Sequence, residues 1–280
     1  MVYFKKLNDL LTSFDLKTSG KWFVLSCLIG VVAGFGAIVF DALTQIVQHY
    51  SLVAIAGFEH PQTVGEYSFY KDQVTEVNFA PWLLLVVITV GGLASGVIVY
   101  NIAPEAEGHG TDAAIDAFHN KRGEIQPRIP IVKTIASALT LGTGGSAGRE
   151  GPIAQIGAGF GSWVATKLKL SARDRRIMLA AGVGAGVGAV FRAPLAGALF
   201  AAEIMYSNAD FESDVIVPAA MSSIIAYSLY CMSLPQALRF MPLFGNELHH
   251  TVDSHFELIP YTILSIVLSL SAAFYVKTFY

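Results

Sequence analysis

Between Ile129 and Met205 the chain offers no clean membrane-length apolar run. Apolar pieces of about ten to twenty residues alternate with two glycine clusters, LGTGGSAG at 141–148 and GVGAGVG at 182–188, whereas a helix needs ~20 residues to cross hydrocarbon. Irregular backbone at that depth survives only where it is buried in protein or lines a watery cavity, because each unpaired N–H or C=O in lipid costs several kcal/mol. The pattern predicts half-helices that meet inside the protein. Composition agrees with a membrane setting: 54% of residues are hydrophobic and 14% charged, against about 25% charged in soluble domains. A net charge of −3 supplies no basic field for nucleic acid, and the apolar content excludes a disordered polymer. Cys27 and Cys231 both sit in apolar runs, too few for a disulfide framework, and read as packing residues.

Longer runs frame this stretch. Trp22 to Val47 carries one charge, Asp41, and is long enough to span. The lysines before it, Lys5, Lys6, Lys17 and Lys21, precede a run too long for a cleavable signal and place the amino terminus in the cytoplasm by the positive-inside bias. Residues 50–80 read as an external loop, Trp82 to Tyr100 as a return span, and 101–130, with Lys121, Arg122 and Arg128, as internal. The cluster Lys167, Lys169, Arg173, Arg175 and Arg176 reads as a second cytoplasmic turn, with Ser171 placed as a helix N-cap. Pro218 to Met232 is a short span, 233–257 is external, and Pro260 to Phe279 re-enters.

Arg149 and Glu150 stand in GGSAGREGP, directly before the apolar run Ile153 to Val164, with Pro152 placed at the first helical position. A helix starting on a glycine-rich loop presents unpaired N–H donors and about half a unit of positive charge, which suits an anion that must shed water. A carboxylate in the same field competes with that anion, and protonating it frees the place. Glu150 is thus a gate by its position; the plainer reading, that it complements the helix dipole or pairs with Arg149, yields to the rule that an intramembrane charge is functional by default.

The segment GREGP at 148–152, followed by IAQIG, resembles the signature of the ClC family of chloride channels and chloride/proton exchangers. GHG at 108–110 stands where that family has its first anion-binding loop, and VFRAPLAG at 190–197 followed by LFAAE is similar to the helix leading to its internal glutamate position. The likeness runs from about residue 22 to the carboxyl end. It implies an all-α, polytopic membrane fold of tilted, broken and re-entrant helices in two inverted halves, and a dimer in which each subunit holds its own pore. Glu150 then corresponds to the external gating glutamate. Arg149 and the amides around Gly151, Pro152 and Ile153 form the outer anion contact, and Gly108, His109 and Gly110 the inner one.

Several positions depart from the family pattern. His109 replaces the usual serine, and either donates to the ion through its ring and gains charge in mild acid, or points away and leaves only backbone to bind. Asp112 replaces a proline and reads as an N-cap, since a carboxylate repels chloride. Ile204 stands where exchangers often carry a proton-relaying glutamate, which favours channel-like conduction. Glu203, one position earlier, is either a substitute relay or a structural residue pairing with cytoplasmic basic groups. Pro152 argues against the fluoride-selective variants. The later helix start and tyrosine of the family's second half are not found after residue 206, so the chain reads as a cytoplasmic segment 1–21, a first-half domain 22–257 and the first helix of a truncated second half, 258–280.

The resulting expectation is glutamate-gated passage of chloride or a similar monovalent anion, with a chloride/proton antiporter and a non-conducting fragment as the alternatives. The partners expected are the anion, the lipid bilayer and, in an intact protein, a second copy; no metal or other cofactor set is read. The glycines at 182, 184, 186 and 188 lack the strand and acidic residue of a dinucleotide fold and the Gly-Lys-Ser/Thr of a phosphate loop, and close helix packing explains them. Ser146 has no evident base for nucleophilic catalysis, so an enzyme is not expected.

Overall fold

A computed structural model describes residues 18–59, 65–70, 78–205, 209–243 and 254–279. Those residues form helices and turns, with no strand among them. The chain divides into two compact units, 1–244 and 245–280. In the first, α1 spans Thr18–Gln48 and continues as π-helical turns over His49–Ile55; α2 is Pro81–Ile102, α3 Thr111–His119, α4 Arg128–Gly142, α5 Glu150–Lys167, α6 Ala172–Val190, α7 Pro194–Ile204 and α8 Ala209–Ser233. The second contains α9, Leu258–Phe279. The lysines at 5, 6 and 17, and most of the acidic part of 233–257, lie outside the described residues.

Among the described residues, four segments are long and apolar enough to cross a membrane, at Gly20–Ile55, Pro81–Ile102, Asp214–Ser233 and Leu258–Thr278. Between them, α4 and α7 have 15 and 11 residues, about 22 and 16 Å at ~1.5 Å per residue, too short for a ~30 Å hydrocarbon core. The expected broken helices are present. They end where glycine and proline interrupt the run: α4 stops at Gly142 and α7 starts at Pro194.

α6 is the centre of the first unit. It packs against α5, α7, α8 and α1 and is buried on both faces, with Leu179 and Val183 in one apolar cluster and Met178, Ala181 and Ala185 in the other. Its glycines permit this. A Cβ on Gly182 would collide with the Gly157 carbonyl of α5, and one on Gly157 with the Gly182 carbonyl. The two backbones touch, which accounts for the GVGAGVG cluster as a packing device. Hydroxyls sew the other face: Ser222 Oγ of α8 donates to the Ala181 carbonyl and Ser223 Oγ to the Gly184 carbonyl, both at 2.9 Å.

That contact explains one boundary the sequence misplaces. The helix that carries the span read from Pro218 starts at Ala209 and holds Pro218 in its interior. A proline deletes a single backbone hydrogen bond, and burial of Ala219, Ser222 and Ser223 against α6 holds the helix together through it. Ser171 does cap α6, its Oγ accepting the Asp174 N–H at 3.1 Å. Lys21 of α1 pairs with Asp174 at 2.6 Å and Arg173 pairs with Asp214 of α8. The basic start of α1 and the basic cluster at the start of α6 therefore share one end of the bundle.

Candidate anion site

Two helix starts meet face to face. α3 begins on Gly110, whose φ of 104° is the left-handed conformation that glycine alone adopts without strain. α5 begins at Glu150, with Arg149 as its cap residue. A Cβ on Gly110 would lie 2.7 Å from the Gly151 carbonyl, and one on Gly151 would strike the His109 carbonyl and sit 2.7 Å from its Nδ1. The GHG and GREGP motifs, 38 to 44 positions apart in the chain, thus close on each other only because both carry glycine.

The loop leading to Gly110 is fixed from below by two side chains. Lys133 of α4, 4% exposed, donates from Nζ to the carbonyls of Ala106 at 3.0 Å and Gly108 at 2.7 Å. Gln155 of α5, 1% exposed, donates from Nε2 to the Glu105 carbonyl at 3.0 Å. A buried ammonium is tolerated when carbonyl dipoles surround it, and here its charge lies directly behind the inner loop. A cavity of about 670 Å³ opens beside Gln155, Glu105 and Gln126.

Glu150 is exposed and occupies the first position of α5. Its carboxylate folds back over Gly148, where a Cβ would be 3.0 Å from Cδ, and it has no hydrogen-bond or ion-pair partner among the described residues. The carboxylate is therefore at the helix tip and uncommitted. His109 lies at the same tip with Nδ1 3.0 Å from Thr111 Oγ1. Its ring lies over Gly151, where a Cβ would sit 2.7 Å from Nδ1.

Other sequence expectations need correction. Arg149 does not face the tips: Nη2 is 2.7 Å from Glu66 Oε1 and Nη1 3.4 Å from Asp41 Oδ1, two carboxylates that outcompete a halide for the guanidinium. The Ile153 N–H donates to the Arg149 carbonyl at 3.1 Å, which commits it within the helix. Pro152, lacking an N–H, cannot donate, so Glu150 and Gly151 supply the amides at this start. Pro152 lies in the first turn, two residues past the first helical position, because the helix begins at Glu150. Asp112 is likewise in the first turn of α3 while Gly110 is the cap; the positive φ at Gly110 starts the helix earlier than the side-chain rule suggests. Glu203 lies exposed in the last turn of α7, and its carboxylate makes no ion pair or hydrogen bond among the described residues, so the pairing expected for it is not found. Ile204 beside it packs on the first apolar cluster.

Lys133 and Asp41 were not read from sequence as site residues. Both carried a usable signal, a lone charge within an apolar run.

The voltage-gated chloride channel family matches residues 91–280. The chain belongs to this family. It is 27% identical over 215 residues to the voltage-gated ClC-type chloride channel ClcB of Citrobacter koseri, covering 74% of this chain and 51% of that one. It is 29% identical over 215 residues to the chloride channel protein CLC-e of Arabidopsis thaliana, covering 76% of this chain and 28% of that one. The crystal structure of a slow cyanobacterial Cl−/H+ antiporter shares its fold, with a TM-score of 0.55 and 23% identity over 74% of this chain and 46% of that one. The chain thus spans about half the length of ClcB, and its broken helices are those of a polytopic ClC membrane protein.

Proposed function

We propose that this chain carries chloride or a similar monovalent anion along a pathway held between the starts of α3 and α5, with Glu150 as its gate. The observation that carries this reading is the meeting of Gly110 with Gly151 at two opposed helix starts, beside a carboxylate with no partner among the described residues. The N–H groups at such starts concentrate partial positive charge without a fixed cation in contact, so an anion binds and leaves. Lys133, screened by two carbonyls, adds a long-range field. Glu150 competes for the same donors when ionised and releases them when protonated.

Ile204 supports a channel-like reading, because an aliphatic side chain cannot relay a proton from the inner side. The shared end of the two basic clusters supports an amino terminus in the cytoplasm, and the family resemblance supports a homodimer, with residues 258–280 opening a second half.

Reconstitution of the 280-residue chain in phosphatidylcholine/phosphatidylglycerol vesicles tests this, with chloride efflux followed by an ion-selective electrode. Efflux that rises in Glu150→Gln at neutral pH is the expected result. A reversal potential that moves with a pH gradient establishes exchange in place of a channel, and no efflux from either protein overturns the pathway reading for this chain.

A further inference from the structure

The arginine immediately before Glu150 is held by groups that the anion reading leaves unused. Asp41 of α1, 9% exposed, receives Arg149 Nη1 on Oδ1 at 3.4 Å, and on Oδ2 the Gln45 Nε2 at 2.8 Å and the Tyr230 hydroxyl at 3.0 Å. Glu66 takes Arg149 Nη2 at 2.7 Å. Gln45 Oε1 accepts the Phe69 N–H at 3.1 Å, which ties the segment bearing Glu66 back to α1. Three parts of the chain therefore hold one guanidinium: α1 and residues 65–70 through their carboxylates, and α8 by fixing the Asp41 carboxylate through Tyr230.

That convergence has a chemical consequence at the tip. A guanidinium binds anions strongly through its fork of N–H donors, and one released a residue before Glu150 would be within reach both of the Glu150 carboxylate and of an anion at the α5 start. It would hold the gate or the ion. Passage needs binding favourable enough to enter yet weak enough to leave. Deleting one partner of a buried pair leaves a charge that must find another.

We infer that Asp41 and Glu66 are positioning residues that keep Arg149 out of the anion's coordination, with Tyr230 and Gln45 fixing the Asp41 carboxylate; this rests on the anion site proposed above. The arginine then stabilises the approach to α5 structurally while no guanidinium meets the ion.

Chloride titration calorimetry of the purified full chain in detergent tests it, using the unmodified protein, Asp41→Asn, Glu66→Gln and the double variant Asp41→Asn/Arg149→Gln. Asp41→Asn keeps an oxygen for Tyr230 and should tighten chloride by about tenfold, the change that a freed charge-assisted contact brings. Glu66→Gln should shift affinity the same way by less, and it decides the matter if Asp41→Asn does not fold. The double variant should return to near the unmodified affinity. A purely structural role would lower the melting temperature without tightening chloride, and its loss would not be reversed by Arg149→Gln. Binding by the unmodified chain with no tightening in either single variant overturns this inference and leaves the anion site standing; no chloride binding by the unmodified chain overturns that site and the inference with it.

Discussion

Lys133 and Gly108 are joined by a 2.7 Å hydrogen bond from a buried ammonium to a loop carbonyl. The same Nζ reaches the Ala106 carbonyl at 3.0 Å, so one side chain sets the conformation of the inner loop and places a positive charge behind it. Lys133→Met removes both contacts and the charge while keeping the stem. Hydrogen bonds to charged groups contribute about 1.5–3 kcal/mol each, so chloride affinity should fall by at least about tenfold and the melting temperature should drop. Calorimetry and thermal unfolding read the two effects separately. Unchanged chloride affinity in a folded variant would remove Lys133 from the site.

Gly151 faces the His109 carbonyl with no room for a Cβ. Gly151→Ala should therefore push the inner loop off the α5 start, and overpacking of this kind costs about 1–3 kcal/mol. Chloride binding should weaken with little change in helix content by circular dichroism. Gly108→Ala differs, since a Cβ there meets nothing within 4 Å but the φ of 74° strains any side chain; its cost should be near ~1 kcal/mol, the cost of placing an L-residue in the left-handed region.

The contact of α5 with α6 gives a sharper test with an internal control. Gly157 and Gly182 each confront the other's carbonyl, whereas a Cβ on Gly92 or Gly96 of α2 meets nothing within 4 Å. Gly157→Ala should lower stability by about 1–3 kcal/mol, and Gly96→Ala should be neutral or stabilising by up to about 1 kcal/mol, because alanine has the higher helix propensity. Thermal unfolding in detergent ranks the pair. Equal melting temperatures would show that the helices have room to separate.

How much of this was readable beforehand follows the distance over which each feature is decided. α2 was placed almost residue for residue, because an uninterrupted apolar run bounded by Pro81 is a local property. The half-helices were legible from glycine clusters for the same reason, and so was the Ser171 cap. The fate of Arg149 was not: its partners lie 83 and 108 positions away, and a guanidinium next to a glutamate looks the same in sequence whether it meets an ion or two carboxylates. The start of α8 was missed because tertiary burial carries a helix through Pro218. Lys133 could have been found, since its charge stands alone between Ile129 and Leu141.

The far end of α3 offers a test by pH, away from the membrane spans. Asp116 Oδ1 accepts from Asn120 Nδ2 at 2.8 Å and Oδ2 lies 2.7 Å from Lys121 Nζ. The Asn120 amide first, and the Lys121 ammonium after it, hold the Asp116 carboxyl below the usual carboxylate range. A depressed folded-state pKa means that the turn gains stability above the ordinary aspartate value and loses it as pH falls through the lower, folded value. Amide exchange of the 117–123 turn, which positions the Gly123 N–H on the Ala117 carbonyl at 2.8 Å, should accelerate in acid after correction for intrinsic rates. Asp116→Asn should abolish most of that acceleration while leaving exchange in α6 unchanged. An acid response of equal size in Asp116→Asn would assign it to another group and detach this carboxylate from the order of the α3 terminus.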